Sequence, residues 1–158
     1  MAKEYVFLHE WDIDAPQQAV FNALADARTY PEWWKPVYID VEGDCEPAIG
    51  CTTRQHFKGK LPYTLRTVSE VVAYDPPNSF TIKVVGDLTG NGQWTLTPRE
   101  GKVHIRFDWT VFADRLLLKL LTPIARPLFR SNHDWSVERA QDGLEPYARS
   151  QAGLQPSP

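Results

Sequence analysis

Residues 102–112 read Lys-Val-His-Ile-Arg-Phe-Asp-Trp-Thr-Val-Phe, and from Asp114 the hydrophobic period changes; this junction decides the fold. Val103, Ile105, Phe107, Trp109 and Val111 alternate with His104, Arg106, Asp108 and Thr110, the period-two pattern of a strand with one buried face. After Asp114 the apolar residues recur at helical spacing, through the strongly apolar stretch 116–121 and on to about Arg149. Leu128, Asn132, Trp135, Ala140, Leu144 and Tyr147 form the expected inner side of this helix. Thr122-Pro123 reads as an N-cap followed by proline at the first helical position. Pro127, just beyond, is expected to kink the helix because it removes a backbone hydrogen bond.

Working outward from the junction, six more strand-like runs precede it. The first covers 4–13, with Tyr5, Phe7, His9, Trp11 and Ile13 on one face; the others fall at about 37–43, 51–58, 63–74, 79–86 and 89–98. Their separators are turn-formers such as Asp75-Pro76-Pro77-Asn78 and Glu100-Gly101, short enough to join antiparallel neighbours. Two short helices interrupt the strands after the first. Asp14 reads as N-cap of one, with Gln17 at capping-box spacing, and Thr29 with Glu32 marks the second, which Pro36 ends. A curved sheet and one long helix bury their apolar faces by closing on each other. The expected product is an α+β container of seven antiparallel strands wrapped on the C-terminal helix.

Composition bounds the function. The 158 residues point to one domain, 1–158, with 150–158 as a frayed tail. A net charge of −3 gives no basic face for nucleic acid, and no apolar run approaches the ~20 residues of a membrane span, so stable membrane insertion is not expected. Six tryptophans and 12 % aromatic residues are a rich supply of rigid rings, which line cavities as well as cores. Cys45 and Cys51 are too few for a disulfide scaffold, and without an export signal they are expected as reduced thiols in a cytoplasm, a hairpin bridge being the minor alternative. No histidine lies in an H-x-H or H-E-x-x-H arrangement, so neither metal nor cofactor is expected. Gly90-Asn91-Gly92 lacks the following helix of a phosphate loop and reads as a strand kink. The oligomeric state stays open.

One stretch carries a family signal: IDAPQQAVFNALADARTYPEWW, Ile13 to Trp34. Asp14, Ala15, Pro16, Val20, Phe21, Leu24, Asp26, Tyr30, Pro31 and Trp33 match, with one extra residue after Pro16, a phrase that joins the first strand to two small helices. With Gly90-Asn-Gly-Gln-Trp94, Asn132-His133 and Gly143-Leu144, the chain resembles the START-like (SRPBCC, Bet v 1-like) superfamily of helix-grip folds. Within it, the resemblance is to the polyketide cyclase/dehydrase and lipid-transport group. The resemblance implies a cavity between sheet and long helix for an apolar or aromatic small molecule.

The residues expected to line it are Phe7, His9 and Trp11 from the first strand, and Phe57 and Tyr63 from the middle ones. Phe80, Ile82, Trp94, Phe107 and Trp109 complete the sheet, and Leu121, Leu128, Asn132 and Trp135 come from the helical stretch. Arg66 joins them unless a bulge in 63–74 swaps the faces; buried, it would need an anionic partner such as a guest carboxylate. His9 is the candidate acid or base, since it shares the face of Phe7 and Trp11; the same position suits a structural histidine. Three functions follow: a binder of a hydrophobic or aromatic molecule, a polyketide cyclase, aromatase or dehydratase using position plus one acid/base, or a lipid carrier docking on membranes through 116–129.

Overall fold

The computed structural model describes residues 3–59, 64–113 and 125–155. Strand β1 (Lys3–Ile13) leads to helix α1 (Gln17–Ala25), a 3-10 turn (Ala27–Thr29) and helix α2 (Tyr30–Trp33). Strands β2 (Tyr38–Glu42), β3 (Thr52–Lys58), β4 (Thr64–Asp75), β5 (Ser79–Gly86), β6 (Leu88–Arg99) and β7 (Lys102–Ala113) follow, then helix α3 (Ala125–Gln151). The seven strands form one sheet in the order β1-β7-β6-β5-β4-β3-β2, every pairing antiparallel. This is the helix-grip architecture expected from the sequence. No helix among the described residues is long and apolar enough to cross a membrane.

The alternation that made the strands readable also sets the core. Tyr5, Phe7 and Ile13 of β1, Phe80 and Val84 of β5, Trp94 and Leu96 of β6, and Val103, Ile105, Phe107 and Val111 of β7 are buried on the inner face. Trp94 and Phe107, opposite each other in register, stack with centroids 4.0 Å apart. From α3, Val137, Ala140, Leu144 and Ala148 are buried, a stripe at i, i+3, i+7 and i+11. Fully burying a side chain such as Leu144 is worth about 1.5–3 kcal/mol. Gly143 lies on the same side: a Cβ there would overlap the Trp33 carbonyl oxygen, so α3 and α2 meet backbone to backbone.

Several local expectations are corrected. Pro16, not Asp14, precedes the first turn of α1, and no side chain caps it. Asp14 is held by α3 instead: its backbone N–H donates to Glu145 Oε1 at 2.9 Å, and its carbonyl accepts from Arg149. Gln17 reaches across to the Pro77 carbonyl rather than back to a cap. Thr29 caps nothing, because its hydroxyl donates to the Asp26 carbonyl and accepts from Trp33 Nε1. Pro127 sits near the first described residues of α3, and Thr122-Pro123, including the residue that would accept from position 127, lie outside the described residues. At the other end α3 runs past Ser150 and closes with Gly153 at positive φ and Leu154 N–H bonded to the Arg149 carbonyl, so the frayed tail does not begin at 150. Cys45 and Cys51 form a disulfide, with their Cα atoms 5.8 Å apart across the β2–β3 connection, which overturns the expectation of free thiols.

Candidate ligand-binding cavity

Between the sheet and α3 lies a cavity of about 130 Å³. Its sheet side comes from the inner faces of β3 to β7. Phe57, Phe80, Ile82, Trp94, Phe107 and Trp109 line it. Its roof is one arc of α3: Asn132, His133, Ser136 and Val137. The rim is built by Tyr30, Trp34, Val37 and Tyr38 together with the disulfide of Cys45 and Cys51. Trp34 Nε1 donates to the Ser136 carbonyl at 2.8 Å, tying rim to roof, while its neighbour Trp33 packs under α3.

Of the predicted site residues, Asn132 lines the roof as well, and the others that are described fall elsewhere. Phe7, His9 and Trp11 do not line the cavity. The Phe7 ring packs 3.9 Å from the His133 ring, with the Arg130 guanidinium over it at 5.2 Å, so Phe7 stands behind the roof. Trp11 meets Trp94 edge-on. Arg66 is exposed: Leu65, Thr67, Ser69 and Val71 of β4 point inward, and the bulge between Val71 and Ala73 comes too late to turn Arg66 in. Trp135 sits beside the arc under the Arg139 guanidinium. Tyr63 and Leu121 lie outside the described residues, and of Leu128 only its place in the first turns of α3 is described.

Gln55, which the sequence also allowed to point inward, lines the cavity, and among the lining groups that sequence reasoning missed are Thr53, Thr67, Ser69 and His133. Gln55, Thr67 and Ser69 are the buried polar residues of the sheet, and Gln55 Nε2 donates to Thr53 Oγ1 at 3.0 Å. The His133 Nε2 is buried without a hydrogen-bond partner. Burial, with the nearby His9 and Arg130, lowers the His133 pKa to about 3, so the ring is neutral over the physiological range. His9 is also lowered by burial, opposed by Asp134, whose carboxylate lies 3.5 Å from its Nε2. The His9 and His133 rings are 4.9 Å apart. Asp134, His9 and His133 thus run in a row from solvent toward the cavity. Burial also raises the phenols of Tyr30 and Tyr38, which stay protonated. Asp26 is the one carboxylate on the described wall, and the Arg28 guanidinium grips both its oxygens, at 2.8 and 2.7 Å.

A helix-grip sheet, a long helix laid across it and an aromatic-walled cavity between them define a ligand-enclosing α+β fold. Residues 7–145 match the model of the family described as polyketide cyclase / dehydrase and lipid transport, and the chain belongs to that family. No curated protein matches the chain. Among solved structures it is similar to the di-domain ARO/CYC BexL from the BE-7585A biosynthetic pathway (21% identity, 97% of this chain and 51% of that one, TM-score 0.70). It spans about half the length of that protein. It is also similar to TTHA0849 from Thermus thermophilus (18% identity, 94% and 99% covered, TM-score 0.77). A third likeness is to the Zhui aromatase/cyclase from Streptomyces sp. R1128 (18% identity, 97% and 100% covered, TM-score 0.74). At these identities the likeness shows the fold.

Proposed function

We propose that this chain, read as one ligand-binding domain, binds a small hydrophobic or aromatic molecule in the cavity between sheet and α3. The observation that carries the reading is a void of about 130 Å³ walled by Phe57, Trp94, Phe107 and Trp109 rather than filled by them. An apolar cavity of roughly 150 Å³ holds a benzene molecule, so the space suits a single ring. Burying about 200 Å² of ring surface contributes about 5 kcal/mol, which sets an affinity near millimolar unless polar contacts add to it. Native mass spectrometry of the gently purified protein tests this. A retained low-mass compound, or saturable uptake of single-ring aromatics, is the expected result; a protein that takes up none of them sinks the reading.

A second reading has its own observation. The unpartnered His133 Nε2 on the cavity roof, with His9 and Asp134 behind it, belongs to a neutral imidazole able to exchange a hydrogen bond with a guest. We infer that, if the chain is a cyclase, aromatase or dehydratase, His133 touches the substrate and His9 acts through it. Loss of turnover of a poly-β-ketone substrate in both His133→Ala and His9→Ala, with binding retained, is expected. Unchanged turnover removes the pair from any mechanism. A membrane-docking carrier remains the third reading; liposome flotation is its test, because 116–124 lie outside the described residues.

A further inference from the structure

Four polar side chains occupy sheet positions where an all-apolar wall would have been simpler. Thr53 and Gln55 of β3 and Thr67 and Ser69 of β4 all face the cavity. The β3–β4 register sets Thr53 opposite Ser69 and Gln55 opposite Thr67, a two-by-two block. The next inward pair along the same strands, Phe57 opposite Leu65, is apolar. The floor therefore carries a hydrogen-bonding block bounded by apolar groups, with Phe57 and Leu65, continued by Trp109, on one side and Val71 on the other.

The block is built for a guest rather than for itself. Its internal bond runs from Gln55 to Thr53, while Thr67 Oγ1 is buried with no partner. Thr67 is 4 % exposed and Gln55 8 %. Buried polar atoms are almost always bonded, so a hydroxyl held in this position calls for an incoming donor or acceptor. A threonine hydroxyl donates and accepts, and a primary amide does both, so the matching group is a hydroxyl or a carbonyl. A charged group does not match. Arg66 points to the outer face, Asp26 is occupied by Arg28, and His133 is neutral, so a buried carboxylate or ammonium would find no counter-ion on the described wall.

We propose that the guest is an uncharged single-ring compound bearing one hydroxyl or carbonyl, its oxygen seated on Gln55 and Thr67 and its ring over Phe57 and Leu65. This deepens the binding reading above and rests on it. The probes are phenol, toluene and benzoate, which share a ring and differ in one substituent. Titration of the full chain, followed by tryptophan fluorescence and calorimetry at pH 7, is expected to show phenol bound about tenfold more tightly than toluene, and benzoate unbound. Thr67→Val should abolish the preference while leaving toluene affinity the same or better. Equal binding of phenol and toluene by the natural chain, or tight benzoate binding, overturns the proposal while leaving the cavity a binding site. If no ring binds at all, the binding reading itself falls. Because the phenol–toluene contrast is measured on the unmodified protein, it decides the matter even if Thr67→Val does not fold.

Discussion

Trp34 and Ser136, 102 residues apart, are joined by a 2.8 Å hydrogen bond from the indole Nε1–H to the backbone carbonyl. The bond links the only short helices of the described chain to the roof of the cavity, and Trp34 is buried. Trp34→Phe keeps most of the ring packing but leaves the Ser136 carbonyl without this donor. A lost hydrogen bond of this kind costs about 1 kcal/mol, and the smaller ring adds a cavity term of similar size. We expect a fall in unfolding free energy of roughly 2 kcal/mol, read as a lower urea midpoint at unchanged m-value. A midpoint within error of the parent would show that the tie contributes nothing.

Gly143 makes the opposite kind of test. In an exposed helix interior, Gly→Ala gains about 1 kcal/mol through helix propensity. Here the added methyl meets the Trp33 carbonyl oxygen, a backbone atom that no rotamer change can move aside. Overpacking of this kind costs roughly 1–3 kcal/mol, so the net sign should be destabilising. Gly143→Ala is expected to lower the thermal midpoint by several degrees; a rise would mean that α3 slides on α2 freely.

These two contacts mark what one sequence does and does not disclose. The strand count, the order of elements and the inward faces of β1, β5, β6 and β7 are legible because period two survives wherever one face is wet. Gly143 against Trp33 is a meeting of backbones, and no pattern of side chains announces it. Strand β4 misleads for a definable reason. Val68 and Val72 point outward, 38 % and 42 % exposed, while Thr67 and Ser69 point inward, so residue type opposes residue face. Leu65 and Val71 share the inward parity and offer the available clue, but a bulge placed earlier would have reversed it. His133 is hidden by width: the α3 roof uses the adjacent pairs 132–133 and 136–137, a broader arc than one stripe drawn through Asn132. His9 and Trp11 share the inward face of β1, but the cavity ends short of them.

The disulfide is a third expectation that can be measured. Cys45 and Cys51 close a short loop between β2 and β3, and both line the cavity rim. Loop-entropy arithmetic for about seven residues gives about 2 kcal/mol. Two backbone bonds to Val71, from Gly50 N–H and to the Cys51 carbonyl, hold the loop to β4 even without the bridge. We therefore expect Cys45→Ser/Cys51→Ser to lose at most about 2 kcal/mol and to retain the fold. Adding a reductant to the parent should shift its urea midpoint to that of the double variant. A parent insensitive to reductant, with thiols that react freely with a labelling reagent, would show the bridge absent in solution.

Two histidines should shape stability against pH from opposite sides. His133 is lowered to about 3 by burial, and His9 is lowered as well, against about 6.5 in the unfolded chain. Between those values the unfolded state binds protons that the folded state refuses. The stabilising effect of keeping these rings neutral is thus complete above about pH 6.5 and falls away as the pH drops toward about 3. His104 behaves inversely. Hydrogen bonds to Asp12 and Glu10, at 2.8 and 3.1 Å, raise its pKa, so its contribution is complete below about 6.5 and is lost as the pH rises through the raised value. Urea midpoints measured from about pH 4.5 to 9 should therefore pass through a maximum near neutrality. His133→Leu is expected to flatten the acid limb, and His104→Gln the alkaline one. An acid limb unchanged in His133→Leu would mean that the ring reaches water when protonated, and would remove the reason for treating it as a neutral group in the cavity roof.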